Sequence, residues 1–169
     1  NSGTIWVGTG EVNASRSSYA GVGVLKSSDK GKTWENLGLK DSHHISRIWV
    51  NPSNLNEIVV AAVGHLYTTN KERGIYKSTD GGKTWKQTLF VAEDTGIIDL
   101  AVSKNNPKIM FAASWQKDRK AWHFDGDGEK SGIYKSEDGG TSWKLVTTKE
   151  SGFPANEGMG RIGLALFNE

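Results

Sequence analysis

Apolar residues along this chain come in short runs, and no stretch repeats with the 3.6-residue period of a helix over a useful length. Residues 4–9 (TIWVGT), 57–62 (EIVVAA), 97–102 (IIDLAV) and 108–113 (KIMFAA) are mostly apolar, as expected of strands covered on both faces. Residues 74–78 (GIYKS) lead into a glycine-rich turn and residues 85–90 leave it, which predicts a β-hairpin. Turn signals at Asn51-Pro52 and Asn105-Asn106-Pro107 separate the runs. The pattern predicts an all-β chain of short antiparallel strands, four to each unit.

The units repeat. Residues 27–34 read SSDKGKTW, residues 78–85 read STDGGKTW and residues 136–143 read SEDGGTSW. The first two aspartates are 51 residues apart and the next pair 58. The extra length falls in one loop: nine residues separate Gly64 from Gly74, whereas sixteen separate Trp115 from Gly132. Repetition at this period points to stacked units rather than to one globular core. Within each phrase, Asp29, Asp80 and Asp138 suit a turn in which a carboxylate accepts hydrogen bonds from nearby N–H groups. Gly31, Gly82 and Gly140 suit positive φ. Ser27, Ser78 and Ser136 open the phrase, and Trp34, Trp85 and Trp143 offer large apolar faces to neighbouring units. A motif present three times holds a scaffold, whereas an active site occurs once, so acid–base work by these aspartates is the weaker reading.

S-x-D-x-G-x-[TS]-W resembles the Asp-box, or BNR repeat, of β-propellers such as sialidases, xyloglucanases and sortilin-type lumenal domains. With GTGE at residues 8–11 and the GIYKSTDGGKTW lead, the chain looks most like large bacterial Asp-box proteins described as glycosyl hydrolase or sortilin-like (VPS10-type). The resemblance covers nearly the whole chain and implies a propeller segment of four-stranded antiparallel blades. In that frame the repeats are about 1–44, 45–94 and 95–150, one continuous propeller piece, with 159–169 opening a further blade through an inner strand at 162–167. About three blade-equivalents are too few for a closed propeller. The expectation is a segment completed by further blades of a larger protein or by another copy of the chain.

Composition changes this picture little. Lys+Arg number 21 against 19 Asp+Glu, a net charge of +2 that leaves no footprint for nucleic acid. The chain has no cysteine, so disulfides, thiolate metal sites and cysteine nucleophiles are out, and it departs from the disulfide-bearing animal sortilin branch. No cofactor, metal site or membrane span is expected. The resemblance implies a secreted, periplasmic or cell-surface location. Asn13-Ala14-Ser15 fits a glycosylation sequon and is read as a chance match in a polar loop.

Candidate chemistry gathers in the loops on the face that, in the family, lies opposite the Asp-boxes. Loop 11–21 carries Glu11, Arg16 and Tyr19; loop 65–73 carries His65, Tyr67, Glu72 and Arg73; loop 116–131 carries Arg119, Trp122, His123, Asp125, Asp127 and Glu129. His43, His44, Glu93, Asp94, Glu157 and Arg161 join from the connections between units. Aromatic faces with arginines and carboxylates suit a glycan or a peptide. The candidate ligand-binding set is Trp115, Arg119, Trp122, His123, Asp125, Asp127, Glu11, Arg16, Tyr67 and Arg73, centred on 115–127 because only the third unit adds seven residues there. The bland alternative folds Trp122 and Phe124 back as a plug over the blade. Asp125-Gly126-Asp127-Gly128-Glu129 has alternating oxygen ligands but lacks the twelfth-position carboxylate of an EF-hand, where Ser136 stands. The reading is a ligand-binding or scaffold portion of a secreted bacterial Asp-box protein. The alternative is part of a glycoside hydrolase whose catalytic centre is completed by sequence outside the chain. Sialidase activity is disfavoured, because the Phe-Arg-Ile-Pro start of that branch is absent.

Overall fold

The predicted strands before residue 150 form and pair in antiparallel sheets. The computed structural model describes residues 3–154 and 158–167. β1 (Ile5–Gly8), β2 (Val24–Ser27) and β3 (Glu35–Asn36) make a three-stranded antiparallel sheet. β4 (Ile45–Val50), β5 (Ile58–Ala62), β6 (Gly74–Ser78) and β7 (Lys86–Leu89) make a four-stranded one. The third sheet runs β8 (Thr95–Val102), β9 (Met110–Gln116), then, after a two-stranded hairpin of β10 (Asp118–Arg119) and β11 (Phe124–Asp125), β12 (Gly132–Ser136) and β13 (Lys144–Leu145). Among the described residues the only helical pieces are 3₁₀ turns at Lys40–Ser42 and Lys149–Ser151. These are blades of the expected kind.

The sheets stack face to face, and β5 shows why its sequence is apolar throughout. Its side chains alternate across the pleat. Ile58, Val60 and Ala62 enter a cluster with Val24 and Trp6 of the first sheet, while Val59 and Ala61 enter one with Ile97, Met110 and Ala112 of the third. All five residues of β5 are buried. Small residues let the layers close. At Gly96 an added Cβ would stand 2.1 Å from the Val63 carbonyl oxygen, so no side chain fits there.

The inner strands carry the polar ties. β4 and β8 each slip register at the same place, between Ile45 and Arg47 and between Ile97 and Asp99. The slip aims Ser46 Oγ at the Ile97 carbonyl, 2.7 Å away, and Arg47 Nε at Asp99 Oδ1, also 2.7 Å. Asp99 Oδ2 accepts from the Leu164 N–H at 2.9 Å, which fastens the following segment. That segment differs from expectation: residues 161–167 join no sheet among the described residues. They still alternate inward and outward, and Ile162 and Leu164 pack on the cluster of Ile98, Ala113 and Trp115. β9 also begins later than the sequence suggests, because Ile109 N–H is spent on the Asn106 carbonyl in the preceding turn.

The three Asp-box turns are near copies. Ser78 Oγ donates to Asp80 Oδ1 at 2.8 Å and accepts from Gly82 N–H at 2.9 Å. Asp80 then accepts from Thr84 N–H at 2.9 Å and Thr84 Oγ1 at 2.6 Å. Ser27, Asp29 and Thr33 repeat this at 2.8, 2.9 and 2.6 Å, as do Ser136, Asp138 and Ser142. The threonine hydroxyl and N–H, with the serine hydroxyl, pull the Asp29 and Asp80 carboxyls down to about 2. Gly82 needs φ of +89°, and its Cα faces Leu37 and Trp6 of the first sheet, where a Cβ would meet Leu37 Cδ1 at 2.9 Å.

Closing the turn sends the tryptophan to the sheet before it. Trp85 Nε1 donates to the Leu37 carbonyl at 2.7 Å, and Trp143 Nε1 reaches Thr88 Oγ1 at 3.3 Å. Trp34 has no preceding sheet among the described residues and is 45% exposed. Trp85→Ala is therefore expected to cost about 3 kcal/mol, the low end for aromatic truncation. Trp34→Ala should cost about 0.5 kcal/mol, as exposed substitutions do. Urea unfolding of the two variants checks the difference. The depressed aspartates give a pH signature. Their stabilisation is complete above the ordinary carboxylate value and is lost as pH falls from about 4 through about 2. Thermal midpoints should fall more steeply over that window in the native chain than in Asp80→Asn.

Candidate functional site

The loops between β1 and β2, β5 and β6, and β9 and β12 meet at one end of the stack, opposite the Asp-box turns. Backbone bonds join them to the connections between sheets: Gly21 N–H to the His43 carbonyl, Asn70 N–H to Glu93, Lys117 N–H to Asp94. The seven extra residues of the third unit build the β10–β11 hairpin. Asp118 pairs with Asp125 and Arg119 with Phe124, and Lys120 N–H closes the turn on the His123 carbonyl. Trp122 sits at the tip and is 85% exposed. His123 Nε2 lies 2.8 Å from Asp125 Oδ1, and the Arg119 guanidinium stands 4.8 Å from the Phe124 ring centre. Asp127 is exposed beside Gly158.

Of the two tryptophans in this loop, Trp115 is the packing residue. It is 2% exposed, its Nε1 donates to the Gly126 carbonyl at 2.7 Å, and Phe124 meets it edge-on at 6.1 Å. Arg161 lies 5.3 Å above its ring. Trp115 thus holds the loop up, and a ligand does not reach its ring. Trp122 does not fold back as a plug; the half-covering role belongs to Phe124.

Glu11, Arg16, Tyr67 and Arg73 gather on the loops of the first two sheets. Tyr67 Oη donates to the Arg16 carbonyl and ties those loops together. Glu11 and Arg16 are exposed. Arg73 is the second correction to the candidate set. It is 1% exposed, and its guanidinium donates to the carbonyls of Val63, His65 and Thr68 at 2.7–3.0 Å. Burial lowers its pKa to about 10. Arg73 is a strut that shapes its loop. Glu157 lies outside the described residues.

Two groups escaped the sequence. Lys117 is buried, and its Nζ donates to the carbonyls of His65 and Leu66, bridging the third sheet to the second. Burial, and then the charge of Arg73, lower its pKa to about 7. The histidines form the other group. His43 stacks on His65 at 3.7 Å between ring centres, and His44 is buried behind them. The adjacent pair His43-His44 was visible in sequence, but no local signal brings His65 onto His43. Asp94 completes the face, accepting from Lys130 Nζ, Gln116 Nε2 and Thr95 Oγ1. Burial opposes its charge, yet these donors, Lys130 foremost, hold its pKa below the ordinary value. Among the described residues no group of three or more His, Asp or Glu side chains is placed to hold a metal ion. No helix among them is long and apolar enough to cross a membrane.

The chain is similar to known proteins in sequence and in fold. A vacuolar protein sorting/targeting protein 10 from Kluyveromyces lactis is 35% identical over 86 residues, 50% of this chain and 5% of its own length. Its namesake from Colletotrichum graminicola is 25% identical over 165 residues, 94% of this chain and 10% of its own length. The chain therefore spans a tenth or less of the curated relatives it matches. Both are fungal and lend no support to a bacterial source. Among solved structures, an ancestral GH74 enzyme is similar with a TM-score of 0.54 at 24% identity, over 84% of this chain and 18% of that one. The GH74 xyloglucanase of Xanthomonas campestris gives 0.51 at 17% identity, over 88% of this chain and 22% of that one. These likenesses are to the fold alone. The family described as sortilin, neurotensin receptor 3 (Sortilin-Vps10) matches residues 23–157, most of the chain, and to that family of β-propellers the chain belongs.

Proposed function

We propose that this chain is a ligand-binding part of a larger Asp-box propeller protein and that it takes a glycan or peptide on its loop face. The remaining blades come from the rest of that protein or from another copy of the chain. A secreted, periplasmic or cell-surface setting in a bacterium, or a lumenal one, suits a propeller of this family. The carrying observation is Trp122, held out at a hairpin tip with 85% of its surface exposed. An indole so placed is costly to solubility, and a partner that stacks on it removes the cost. Arg119 and the His123–Asp125 pair stand on the same hairpin and supply polar contacts.

Binding is preferred to hydrolysis on the state of the carboxylates. Glycoside hydrolysis needs two carboxyls working across one bond, one of them held protonated. Asp94 and Asp99, the better covered carboxylates of this region, are paired with Lys130 and Arg47 and lie below their ordinary pKa. That environment keeps both charged and engaged.

The test is a screen of the 169-residue chain against xyloglucan oligosaccharides and a peptide array, followed by Trp122→Ala and Arg119→Ala. Trp122→Ala is expected to weaken the best ligand about 30-fold, the scale of an interface anchor at about 2 kcal/mol, with the melting temperature unchanged. Affinity that survives both substitutions, or a chain that binds neither library, overturns the reading.

A further inference from the structure

Both seams between sheets use one register. Trp85 Nε1 donates to the Leu37 carbonyl and Trp143 Nε1 meets Thr88 Oγ1. Each seat is the residue three positions after the Asp-box tryptophan of the sheet before, Trp34 and Trp85. On the third sheet the same count from Trp143 reaches Val146. The Val146 N–H donates to the Ile133 carbonyl as the Leu37 N–H donates to that of Val24, so the two residues are held alike. There the third sheet has an open groove of about 400 Å³, lined by Lys135, Glu137, Lys144, Leu145, Val146 and Thr148. At the other end of the stack Trp34 is 45% exposed and Ile5 40%. A Cβ at Gly82 would meet Trp6, and one at Gly140 would meet Val59, each on the preceding sheet; at Gly31 it would meet only Ile5 and Trp34 of its own. The stack ends in an open seat on one side and an unseated indole on the other.

The strands match in the same sense. Among the described residues β1 has no strand on its inner side, where β5 has β4 and β9 has β8. Residues 161–167 are the converse, an inner segment without a sheet. The Leu164 N–H on Asp99 Oδ2 sets them beside β8, as Arg47 on Asp99 sets β4 beside it. An open strand edge is a template for pairing with another chain. The register follows from the other two sheets, where Ile48 stands opposite Val60 and Leu100 opposite Ala112. Each of these inner residues comes one after Arg47 or Asp99, so its counterpart after Leu164 is Ala165. Val60 and Ala112 face Tyr76 and Tyr134, and their counterpart facing Leu25 is Val7.

We propose that the two ends of the stack bind each other between two copies of this chain, with Ala165 of one copy opposite Val7 of the other and Trp34 of the second seated in the Val146 groove of the first. The interface continues the seams already present. Trp6 packs toward the second sheet, so Ile5 and Val7 face outward, where Ile58 and Val60 face in the first seam. Met110 and Ala112 pack toward the second sheet, so Phe111 faces outward where Val59 and Trp6 do in the seams before. A head-to-tail contact of this kind closes into a ring when the rotation allows. Each copy brings three blade sheets; two copies hold six and three hold nine, against roughly four to eight in closed propellers. The assembly is a closed dimer with two identical seams. The inference rests on the reading that further blades complete this chain, and it takes a second copy as their source.

The chain has no cysteine, so an introduced pair reports the register without background. Opposed residues of an antiparallel pair have Cα atoms about 4.5–5.5 Å apart, within reach of a disulfide. Sedimentation velocity of the 169-residue chain over a dilution series should show a dimer that dissociates on dilution. The double variant Val7→Cys, Ala165→Cys should oxidise to a covalent dimer on non-reducing gels. Val7→Cys with Leu166→Cys should not, because one residue further on the side chain points to the other face. Trp34→Ala should raise the dissociation constant by at least about 30-fold, the scale of one interface anchor, with the far-ultraviolet circular dichroism unchanged. A monomer at every concentration overturns the proposal. So does a dimer that the Val7–Ala165 pair fails to trap or that Trp34→Ala leaves intact, and so does a disulfide formed within one chain. Particles larger than a dimer overturn the closed ring. A monomer that still takes a ligand at Trp122 leaves the binding function standing while the interface falls, and a trapped dimer that binds neither library does the reverse.

Discussion

The Ser78–Asp80 turn closes on its own backbone and, in closing, sets Trp85 against the sheet before it. The two events are one constraint. Four hydrogen bonds inside eight residues leave the turn a single shape, and that shape fixes where the indole leaves the chain. The indole then spans the gap between layers and ends on the Leu37 carbonyl. Burial of β5 against the first sheet presupposes the spacing so set, and Trp143 on Thr88 sets it again where Gly96 meets Val63 and Arg47 meets Asp99. The loop face inherits its geometry from that spacing, since its loops bond across neighbouring sheets.

Legibility followed the range of the forces. The Asp-box could be read because every bond in it lies within a few residues, and β5 because burial on both sides leaves an unbroken apolar run. Length alone showed which loop holds the extra residues, but nothing in the sequence showed that they form the β10–β11 hairpin. Which of its tryptophans is buried was not legible. Trp115 and Trp122 are the same residue type seven positions apart, and the choice is made by the Gly126 carbonyl, which waits for one indole and not the other. Arg73 read as a binding arginine because its partners are backbone carbonyls, which leave no trace in composition. Lys117 was missed for the same reason: its acceptors lie about fifty residues earlier in the chain. The segment 162–167 was expected as an inner strand and joins no sheet among the described residues: a strand also needs a ladder partner, and sequence pattern does not contain the partner.

The loop face mixes rigid and uncommitted groups in a way that suits recognition. Buried cations, Arg73 and Lys117, are consumed in holding loops at fixed distances. The side chains left over are those with apolar faces and one polar edge: Trp122 outside, and His43, His65 and Tyr67 around a recess where the loops of the first two sheets meet. Such residues gain most from a partner that is itself amphipathic, with a ring face and hydroxyl edges.

Two Asp-box tryptophans reach back along the chain. Trp143 lies on the second sheet and Trp85 on the first. The stack consequently has a polarity, like a row of tiles each lapped over the one before. Lifting the last tile exposes the surface beneath but leaves every other indole seated. Removing the first takes the seat from under Trp85. Nearest-neighbour coupling in stacked repeats is usually treated as symmetric. Here the indole belongs to one sheet and its seat to the other, so a single substitution on either side opens the same seam.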